Sequence, residues 1–281
     1  MPGERILLTE PSATRFAAVI GDPVAHSLSP AIHNAAFAAA GIDARYEAVT
    51  VAVGEVPAAV ARMRSERWLG MSVTMPHKES VIAELDDLTP IARRLGAVNC
   101  VFWDDERLVG DNTDGPGMVW ALRTRLGVEN LAVRVAVLGA GGAARACIAA
   151  LAAAGATDIA VVNRTEARAL RAAELAPKVA HVGSAADLPA AAIVVNATPV
   201  GMAGTDAAAQ PFVPGPGVVA LDLVYHPLET PWLAAARARG ATVANGVGML
   251  VGQAAIAFER WTGVAAPVDA MSAAVDAALG A

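Results

Sequence analysis

Cysteine and charge are both scarce in this chain. Of its 281 residues, two are cysteines and 17% are charged, whereas 55% are hydrophobic. The hydrophobic excess excludes a disordered or fibrous chain. Cys100 and Cys147 lie in apolar surroundings, without the spacing of a metal site or a redox pair, so a reduced, cytoplasmic setting is expected.

Long apolar runs and a basic excess are also missing. No stretch reaches the roughly 20 uninterrupted apolar residues of a membrane span, and the start, MPGERILLTEPSAT, lacks the basic and apolar regions of a secretory signal. The net charge of −6 argues against a general nucleic-acid surface. No His, Cys or acidic cluster has metal-ligand spacing. We therefore expect a small-molecule ligand and no metal, membrane or nucleic-acid partner.

Short β-branched runs alternate with helical stretches almost end to end, which predicts a parallel α/β architecture. In the first part we expect strands at 15–21, 45–51, 69–75 and 97–103 and helices at about 30–40, 54–66 and 78–84. The alternation of strands and helices starts again at 133, and the chain is helical after GVGML. We predict an α/β substrate domain with a mostly parallel sheet (1–113), a Rossmann-like domain (114–245) and C-terminal helices that return to the first domain (246–281).

A glycine-rich turn joins a strand to a helix in VRVAVLGAGGAARA. Gly139 permits the tight turn, Gly141 and Gly142 let backbone amides approach a pyrophosphate, and the helix N-terminus favours its charge. Taken alone, such a turn is a weak signal, because structural βα turns look alike. The context makes a dinucleotide site the better interpretation.

The next strand, DIAVVNRT, ends without the carboxylate that NAD enzymes place near the adenosine ribose. Asn163, Arg164 and Thr165 stand there instead, with Arg168 one turn later, while Asp158 starts the strand at its other end. A guanidinium with amide and hydroxyl groups suits a 2′-phosphate, so NADP is preferred over NAD. The alternative is a solvated helix start.

Polar residues follow several strands of the first half. In an extended segment, Ser27 and Ser29 would point the same way and reach one carboxylate, although Ser29 taken alone is more simply a helix cap before Pro30. Lys78 lies where a helix is expected to start, and a cation there is unfavourable unless something offsets the helix dipole. Other polar residues at predicted strand ends or turns are Thr74, Asn99 and Asp114.

Eight motifs in order resemble the shikimate dehydrogenase family: GDPVAHSLSP, SVTMPHK, GAVN, GDNTDG, GAGGAA, NRT, NATPVGM and GVGMLVGQ. The resemblance runs from about residue 16 to the C-terminus, and the ordered set is far more specific than any single motif. One departure is Ser72, where many members of the family carry asparagine.

The resemblance implies reversible, NADPH-dependent reduction of the 3-keto group of 3-dehydroshikimate. It implies Lys78 and Asp114 as the catalytic pair, and Ser27 and Ser29 as ligands of the substrate carboxylate. The implied partners of the remaining substrate groups are Thr74, Asn99, Asp114, Tyr225 and Gln253. The implied cofactor residues are Gly139, Ala140, Gly141, Gly142, Ala143, Asn163, Arg164, Thr165, Arg168, Thr198, Gly246 and Met249.

Several alternatives stay open on the sequence. A quinate/shikimate or amino-shikimate dehydrogenase would use the same scaffold, whereas a non-catalytic NADP-binding sensor would be expected to lose Lys78 or Asp114. A methylene-tetrahydrofolate dehydrogenase is disfavoured by the polar residues of the first half. Lys78 can act in proton transfer or chiefly bind the developing oxyanion. The protein can be a monomer or a homodimer.

Overall fold

A computed structural model describes residues 14–202 and 212–280 of the chain. The expectation about a secretory signal in the first residues lies outside this part. The described chain forms two six-stranded sheets with helices packed against them, as the α/β prediction requires. None of the helices in these two ranges combines the length and apolar character needed to span a bilayer.

The first sheet has the strand order β2-β1-β3-β5-β6-β4. Its strands are β1 Arg15–Gly21, β2 Ala44–Thr50, β3 Gly70–Val73, β4 Asp87–Leu88, β5 Cys100–Asp104 and β6 Arg107–Asp111. Strand β1 runs parallel to β2 and β3, and β4 runs parallel to β6. Strand β5 is antiparallel to both of its neighbours. The mostly parallel sheet is confirmed, and the carboxyl ends of β1 and β3 meet at one edge.

The helices of this half are α1 Ser29–Ala39, α2 Val56–Ser65 and α3 Pro90–Leu95. The helix expected at 78–84 is wrong in part: a short 3-10 helix covers Ser80–Glu84, and Lys78 lies in the turn before it. Helix α3 and strands β4 and β6 are not foreseen by the sequence pattern. They are short, and α3 starts at a local signal, because the Thr89 side chain caps it before Pro90.

The second sheet is parallel throughout the described pairs, in the order β12-β11-β10-β7-β8-β9. Its strands are β7 Arg134–Leu138, β8 Asp158–Val162, β9 Ala180–Val182, β10 Ile193–Asn196, β11 Val219–Asp222 and β12 Thr242–Ala244. Helices α5 Gly142–Ala153, α6 Glu166–Ala173 and α7 Pro231–Ala238 and a 3-10 turn at Leu188–Ala190 connect them. The order reverses direction between β7 and β10, where open α/β sheets bind ligands.

Three helices join the two halves. Helix α4 Asp114–Leu126 links the sheets, and α8 Val247–Thr262 and α9 Val268–Leu279 follow the last strand. Residues of α8 and α9 share a hydrophobic core with α1, β1 and β2, so the chain returns to its first half. The approach is close: a Cβ at Gly117 of α4 would lie 2.5 Å from the backbone N of Gln253 in α8. The exact domain boundaries at 113/114 and 245/246 stay predictions.

Candidate active site

A cavity of about 340 Å³, called here the inner cavity, lies at the carboxyl ends of β1 and β3. It brings together every side chain to which the sequence assigned a substrate role, from both halves of the chain. These are Ser27, Ser29, Thr74, Lys78, Asn99, Asp114, Tyr225 and Gln253. Residues more than 200 positions apart therefore meet in one polar pocket.

Lys78 and Asp114 form an ion pair in this cavity. The Nζ atom of Lys78 donates to Oδ2 of Asp114 over 2.6 Å, and the two side chains are 30% and 13% exposed. The backbone carbonyl of Lys78 accepts from the N–H of Val98 over 2.8 Å, which ties the turn to the strand β5 side of the sheet. One Nζ proton is used by Asp114, so the other two can serve a ligand.

The helix dipole acts on Asp114 rather than on Lys78. Lys78 precedes a 3-10 helix of five residues, which has little dipole, whereas Asp114 lies in the first turn of the 13-residue helix α4. The expected conflict between Lys78 and a helix N-terminus is therefore absent. A carboxylate at that position is stabilised by the helix, and the lysine is placed by its bond to the carboxylate.

The buried side chains of Asn99 and Asn112 fix the position of Asp114 through hydrogen bonds. Asn99 Nδ2 donates to Asp114 Oδ1 over 2.7 Å, and Asn99 Oδ1 accepts from the N–H of Thr113 over 2.7 Å. Asn112 Oδ1 accepts from the N–H of Asp114 over 3.2 Å, while Asn112 Nδ2 donates to the carbonyl of Ala97 over 3.0 Å. Both Asn112 and Thr113 are buried and were missed as functional residues, although they lie inside the DNTD motif.

Ser27 and Ser29 line the inner cavity in a conformation other than the expected one. Leu28 between them has φ −81° and ψ −7°, so the segment is turned and not extended. Ser29 is the first residue of α1, whose N-cap is Leu28, and the Oγ of Ser27 accepts from the N–H of Ser29 over 3.2 Å. The helix-cap alternative for Ser29 is therefore wrong, and both serines border the cavity.

The remaining predicted side chains come from three further elements. Thr74 follows β3, where its N–H donates to the carbonyl of Ile20 over 2.9 Å. Tyr225 follows β11, and burial raises the pKa of its hydroxyl, which keeps it a donor at neutral pH. Gln253 lies on α8, with Nε2 donating to the carbonyl of Leu250 over 2.9 Å. His26 and Ser72 also line the cavity and were not assigned to it from the sequence.

The glycine turn has the geometry that a dinucleotide requires. Gly139 has φ +109°, a conformation that favours glycine, and a Cβ there would lie 3.0 Å from the carbonyl O of Ala197. Gly141 is the N-cap of α5 and Gly142 its first residue, with open space where a Cβ would be. The amides at the start of this 12-residue helix therefore face free volume, which fits a pyrophosphate.

A second cavity of about 760 Å³, called here the outer cavity, extends from this turn. Its lining joins Ala140, Gly141 and Gly142 with basic side chains from both halves: Arg94, Arg145, Arg168 and Arg171. Met75 and Lys78 border the inner and outer cavities alike. The two cavities therefore adjoin at the predicted catalytic lysine, and the outer one suits an anionic ligand.

The other predicted cofactor residues are divided between the two cavities and the exposed surface near them. Ala143, Gly246 and Met249 line the inner cavity, next to the substrate residues. Arg164, Thr165 and Arg168 are exposed at the end of β8 and the start of α6, but only Arg168 lines the outer cavity. Asn163 donates from Nδ2 to the carbonyl of Thr165 over 2.9 Å, and Thr198 donates from Oγ1 to Oδ1 of Asn196 over 2.7 Å.

Among the residues that the structure describes, no group of three or more His, Cys, Asp and Glu side chains could hold a metal ion. Cys100 and Cys147 are buried free thiols, and burial raises the pKa of each. Asp158 lies at the start of β8, away from the turn after that strand, and pairs with Arg134 over 2.6 Å.

Comparison with known proteins agrees with the geometry. Residues 19–101 match the shikimate dehydrogenase substrate binding domain, 124–206 the shikimate/quinate 5-dehydrogenase model, and 246–275 the shikimate 5′-dehydrogenase C-terminal domain. The shikimate dehydrogenase (NADP(+)) of Moorella thermoacetica is 43% identical, over 96% of this chain and 95% of the relative. The shikimate dehydrogenase (NADP(+)) of Geobacillus kaustophilus is 45% identical, over 93% of this chain and 97% of the relative.

A solved structure shows the same fold. The shikimate 5-dehydrogenase of Thermus thermophilus, in complex with NADP(H) and shikimate, is 40% identical with a TM-score of 0.84, over 94% of this chain and 100% of the other. Identity at this level over almost the whole length, together with the two-sheet fold and the polar inner cavity, places the chain in a family. It belongs to the shikimate dehydrogenase family.

Proposed function

We propose that the protein catalyses the reversible, NADPH-dependent reduction of 3-dehydroshikimate to shikimate, a step in aromatic amino acid biosynthesis. The observation that carries the proposal is the inner cavity, where the Lys78–Asp114 pair meets six further polar side chains and borders the outer cavity. The names of the relatives at 43–45% identity support the same reaction and cofactor. A non-catalytic sensor would not need this ion pair.

NADPH, when bound, supplies the hydride that reduces the ketone. The substrate oxygen then gains negative charge, and Lys78 Nζ donates a hydrogen bond or a proton to it. Asp114 orients Nζ and compensates its charge through the 2.6 Å ion pair. Because Asn99 and the start of α4 fix Asp114, the lysine has a defined position before the substrate arrives.

The other polar side chains orient the ring. Ser27 and Ser29 bind the substrate carboxylate as hydroxyl donors, since the Oγ of Ser27 already accepts from the N–H of Ser29. The ring hydroxyls bind to the side chains that line the rest of the inner cavity: Thr74, Asn99, Asp114, Tyr225 and Gln253. The cavity thus offers donors at the carboxylate end and both donors and acceptors around the hydroxyls.

Residues that would hold NADPH line the outer cavity and its border with the inner one, where the cofactor would supply a hydride. The turn Gly139, Ala140, Gly141, Gly142 and Ala143 holds the pyrophosphate at the start of α5. Asn163, Arg164, Thr165 and Arg168 hold the 2′-phosphate, for which the exposed guanidinium groups supply charge and paired donors. Thr198, Gly246 and Met249 complete the site, the last two on the nicotinamide side.

Initial rates with shikimate and quinate, each with NADP⁺ and NAD⁺, test this function. We expect the highest kcat/KM with shikimate and NADP⁺. Faster turnover of quinate with NAD⁺ would refute the choice of substrate and cofactor in favour of a quinate dehydrogenase. Absence of turnover with all four pairs, despite NADPH binding, would favour the sensor.

The setting of the protein is part of the proposal. We infer a cytoplasmic enzyme, because the thiols are free, and we propose that it is a monomer or a homodimer. Light scattering after size-exclusion chromatography would give a mass of one or two chains. A larger mass would contradict this inference.

A further inference from the structure

A buried tyrosine lies behind the inner cavity with its hydroxyl unused. Tyr46 on β2 is 2% exposed, and its hydroxyl has no hydrogen-bond partner in residues 14–202 and 212–280. Its ring stacks on that of His33 with centroids 4.4 Å apart and lies 5.9 Å from that of Trp261. Neighbouring rings therefore fix the tyrosine, and a buried hydroxyl without a partner is costly to keep for packing alone.

The strand register places Tyr46 on the same face of the sheet as Ser72, which lines the cavity. Tyr46 pairs with Ala17 of β1, and Ser72 of β3 pairs with Val19 two residues further along the same strand. Paired residues of parallel neighbours share a face, so Tyr46 and Ser72 lie on the same side of the sheet with β1 between them. Ala17 is too small to block a tyrosine ring that crosses β1 towards Ser72.

The hydroxyls of Ser72 and Ser29 lie near that of Tyr46. Burial raises the pKa of Tyr46, and the Ser72 hydroxyl and, more weakly, the Ser29 hydroxyl oppose the rise, although neither reaches hydrogen-bonding geometry. Both serines also line the inner cavity. The tyrosine hydroxyl therefore lies beside two groups that border the inner cavity.

The direction in which a serine donates depends on what donates to it, because a hydroxyl has one proton and accepts through its oxygen. The Oγ of Ser27 accepts the N–H of Ser29, which leaves the Ser27 proton for a ligand. An equivalent donor to Ser29 would hold its oxygen and so direct its own proton towards a carboxylate. Tyr46 is a donor in reach of it.

We propose that Tyr46 is a positioning residue for the substrate carboxylate. In the occupied site, Ser72 donates to the Tyr46 oxygen, Tyr46 donates to Ser29, and Ser29 donates to the carboxylate. This inference rests on the proposed role of Ser29 in the shikimate reaction. It also gives Ser72, which departs from the asparagine common in the family, a function as the first donor in a chain of hydroxyls that strengthen one another.

Binding of shikimate and of its methyl ester, measured by titration calorimetry without cofactor, tests the proposal on the wild type and Tyr46→Phe. The substitution removes one oxygen and keeps the ring. We expect shikimate to bind about tenfold more weakly to Tyr46→Phe, because Ser29 loses the donor that directs its own hydrogen bond towards the charged carboxylate. Binding of the uncharged ester should change less than twofold. In turnover, KM for shikimate rises by a similar factor while kcat and KM for NADP⁺ stay within twofold.

Two further variants separate positioning from packing. Ser72→Ala is expected to weaken shikimate binding in the same sense, by less than Tyr46→Phe. Phe37→Leu changes the same core without touching a hydroxyl. It should lower the melting temperature and leave the shikimate Kd unchanged, whereas Tyr46→Phe should keep or raise the melting temperature.

An unchanged shikimate Kd in Tyr46→Phe would overturn this inference and leave the proposed function intact. Equal losses for shikimate and its ester would also overturn it, since they would indicate a general change in cavity shape. A wild type that does not bind shikimate would refute the proposed function and this inference together.

Discussion

The inner and outer cavities differ in how their polar groups are held. In the inner cavity, Asn99 and Asp114 are buried and already bonded to one another before any ligand is present. In the outer cavity, Arg94 and Arg145 bond to backbone carbonyls, but Arg168 and Arg171 are exposed side chains without such bonds in the described chain. Chemistry that moves a hydride and a proton needs fixed geometry, whereas attraction of a phosphate needs mainly charge.

This difference predicts different consequences of substitution. Changes in the inner cavity should act on kcat, on shikimate binding or on the pH dependence of stability, because the groups there are desolvated and mutually positioned. Changes in the outer cavity should act on KM for the cofactor and should weaken with salt, which screens exposed charges.

Lys78→Ala is the strongest test of the inner cavity. We expect kcat to fall by about a thousandfold, since the variant loses the donor to the developing oxyanion, while the Kd for NADPH stays within threefold. Stopped assays and calorimetry would measure the two quantities. The chain has one other lysine, the exposed Lys178, so Lys178→Ala is a matched control that should keep wild-type turnover. A loss of less than tenfold in Lys78→Ala would contradict the assigned role.

His33→Leu tests whether water reaches the buried side chains behind the inner cavity. Burial lowers the pKa of His33 from 6.5 to about 3. The unfolded chain thus takes up a proton near pH 6.5 and the folded chain does not, so this residue reduces stability as the pH falls below 6.5. From pH 7.5 to 5.0 the wild type should lose about 2 kcal/mol through His33.

Chemical unfolding of both proteins at these two pH values measures the effect. The free energy of unfolding of His33→Leu should change by about 2 kcal/mol less than that of the wild type. The exposed His226 supplies the control, because His226→Leu should keep the wild-type change. Equal pH dependence in wild type and His33→Leu would mean that His33 is protonated in the folded state and that water reaches it.

Much of this arrangement could be predicted from the sequence. The glycine turn, the β-branched runs and the ordered motifs are local signals, and they located β7, α5 and the residues of the inner cavity. The pairing of Lys78 with Asp114 followed from the resemblance to a family. What the motifs share is that each follows a strand, and the sheet brings strand ends together.

Other features depend on tertiary contacts that leave no local pattern. The turn at Lys78 replaces the expected first helical turn because its carbonyl bonds to Val98 in a distant segment. Tyr46 looks like an ordinary strand aromatic until the register places it across β1 from Ser72. Arg94 was not distinguished from other surface arginines, since its partner, the carbonyl of Leu175, belongs to the other half of the chain.

Arg168→Ala tests the outer cavity. We expect KM for NADP⁺ to rise about tenfold, as one charge-assisted contact to the 2′-phosphate is lost, while kcat stays within twofold and KM for NAD⁺ is unchanged. Raising the salt concentration should reduce the difference between variant and wild type. The exposed Arg123 on α4 lies outside both cavities, and Arg123→Ala should behave as wild type. An equal rise of KM for both cofactors would contradict a 2′-phosphate contact at Arg168.

Arg145→Gln concerns the junction between the two regions, with the smallest expected effect. Arg145 of α5 donates to the carbonyl of Leu95 in α3 over 2.6 Å, and Arg94 of α3 donates to the carbonyl of Leu175 in the opposite direction. These reciprocal bonds hold the glycine turn against the first half of the chain. Loss of one of these bonds destabilises the arrangement in which the two halves contact each other by about 1 kcal/mol.

The expected result is a two- to fourfold rise in KM for NADPH and a more open scattering profile of the free protein, which NADPH returns towards that of the wild type. Arg171 also lines the outer cavity but makes no bond across it in the described chain, so Arg171→Gln should leave the profile unchanged. If the profiles of wild type and Arg145→Gln are identical with and without NADPH, the two halves are held by their apolar contacts with α4 and α8. The outer cavity would then be as rigid as the inner one.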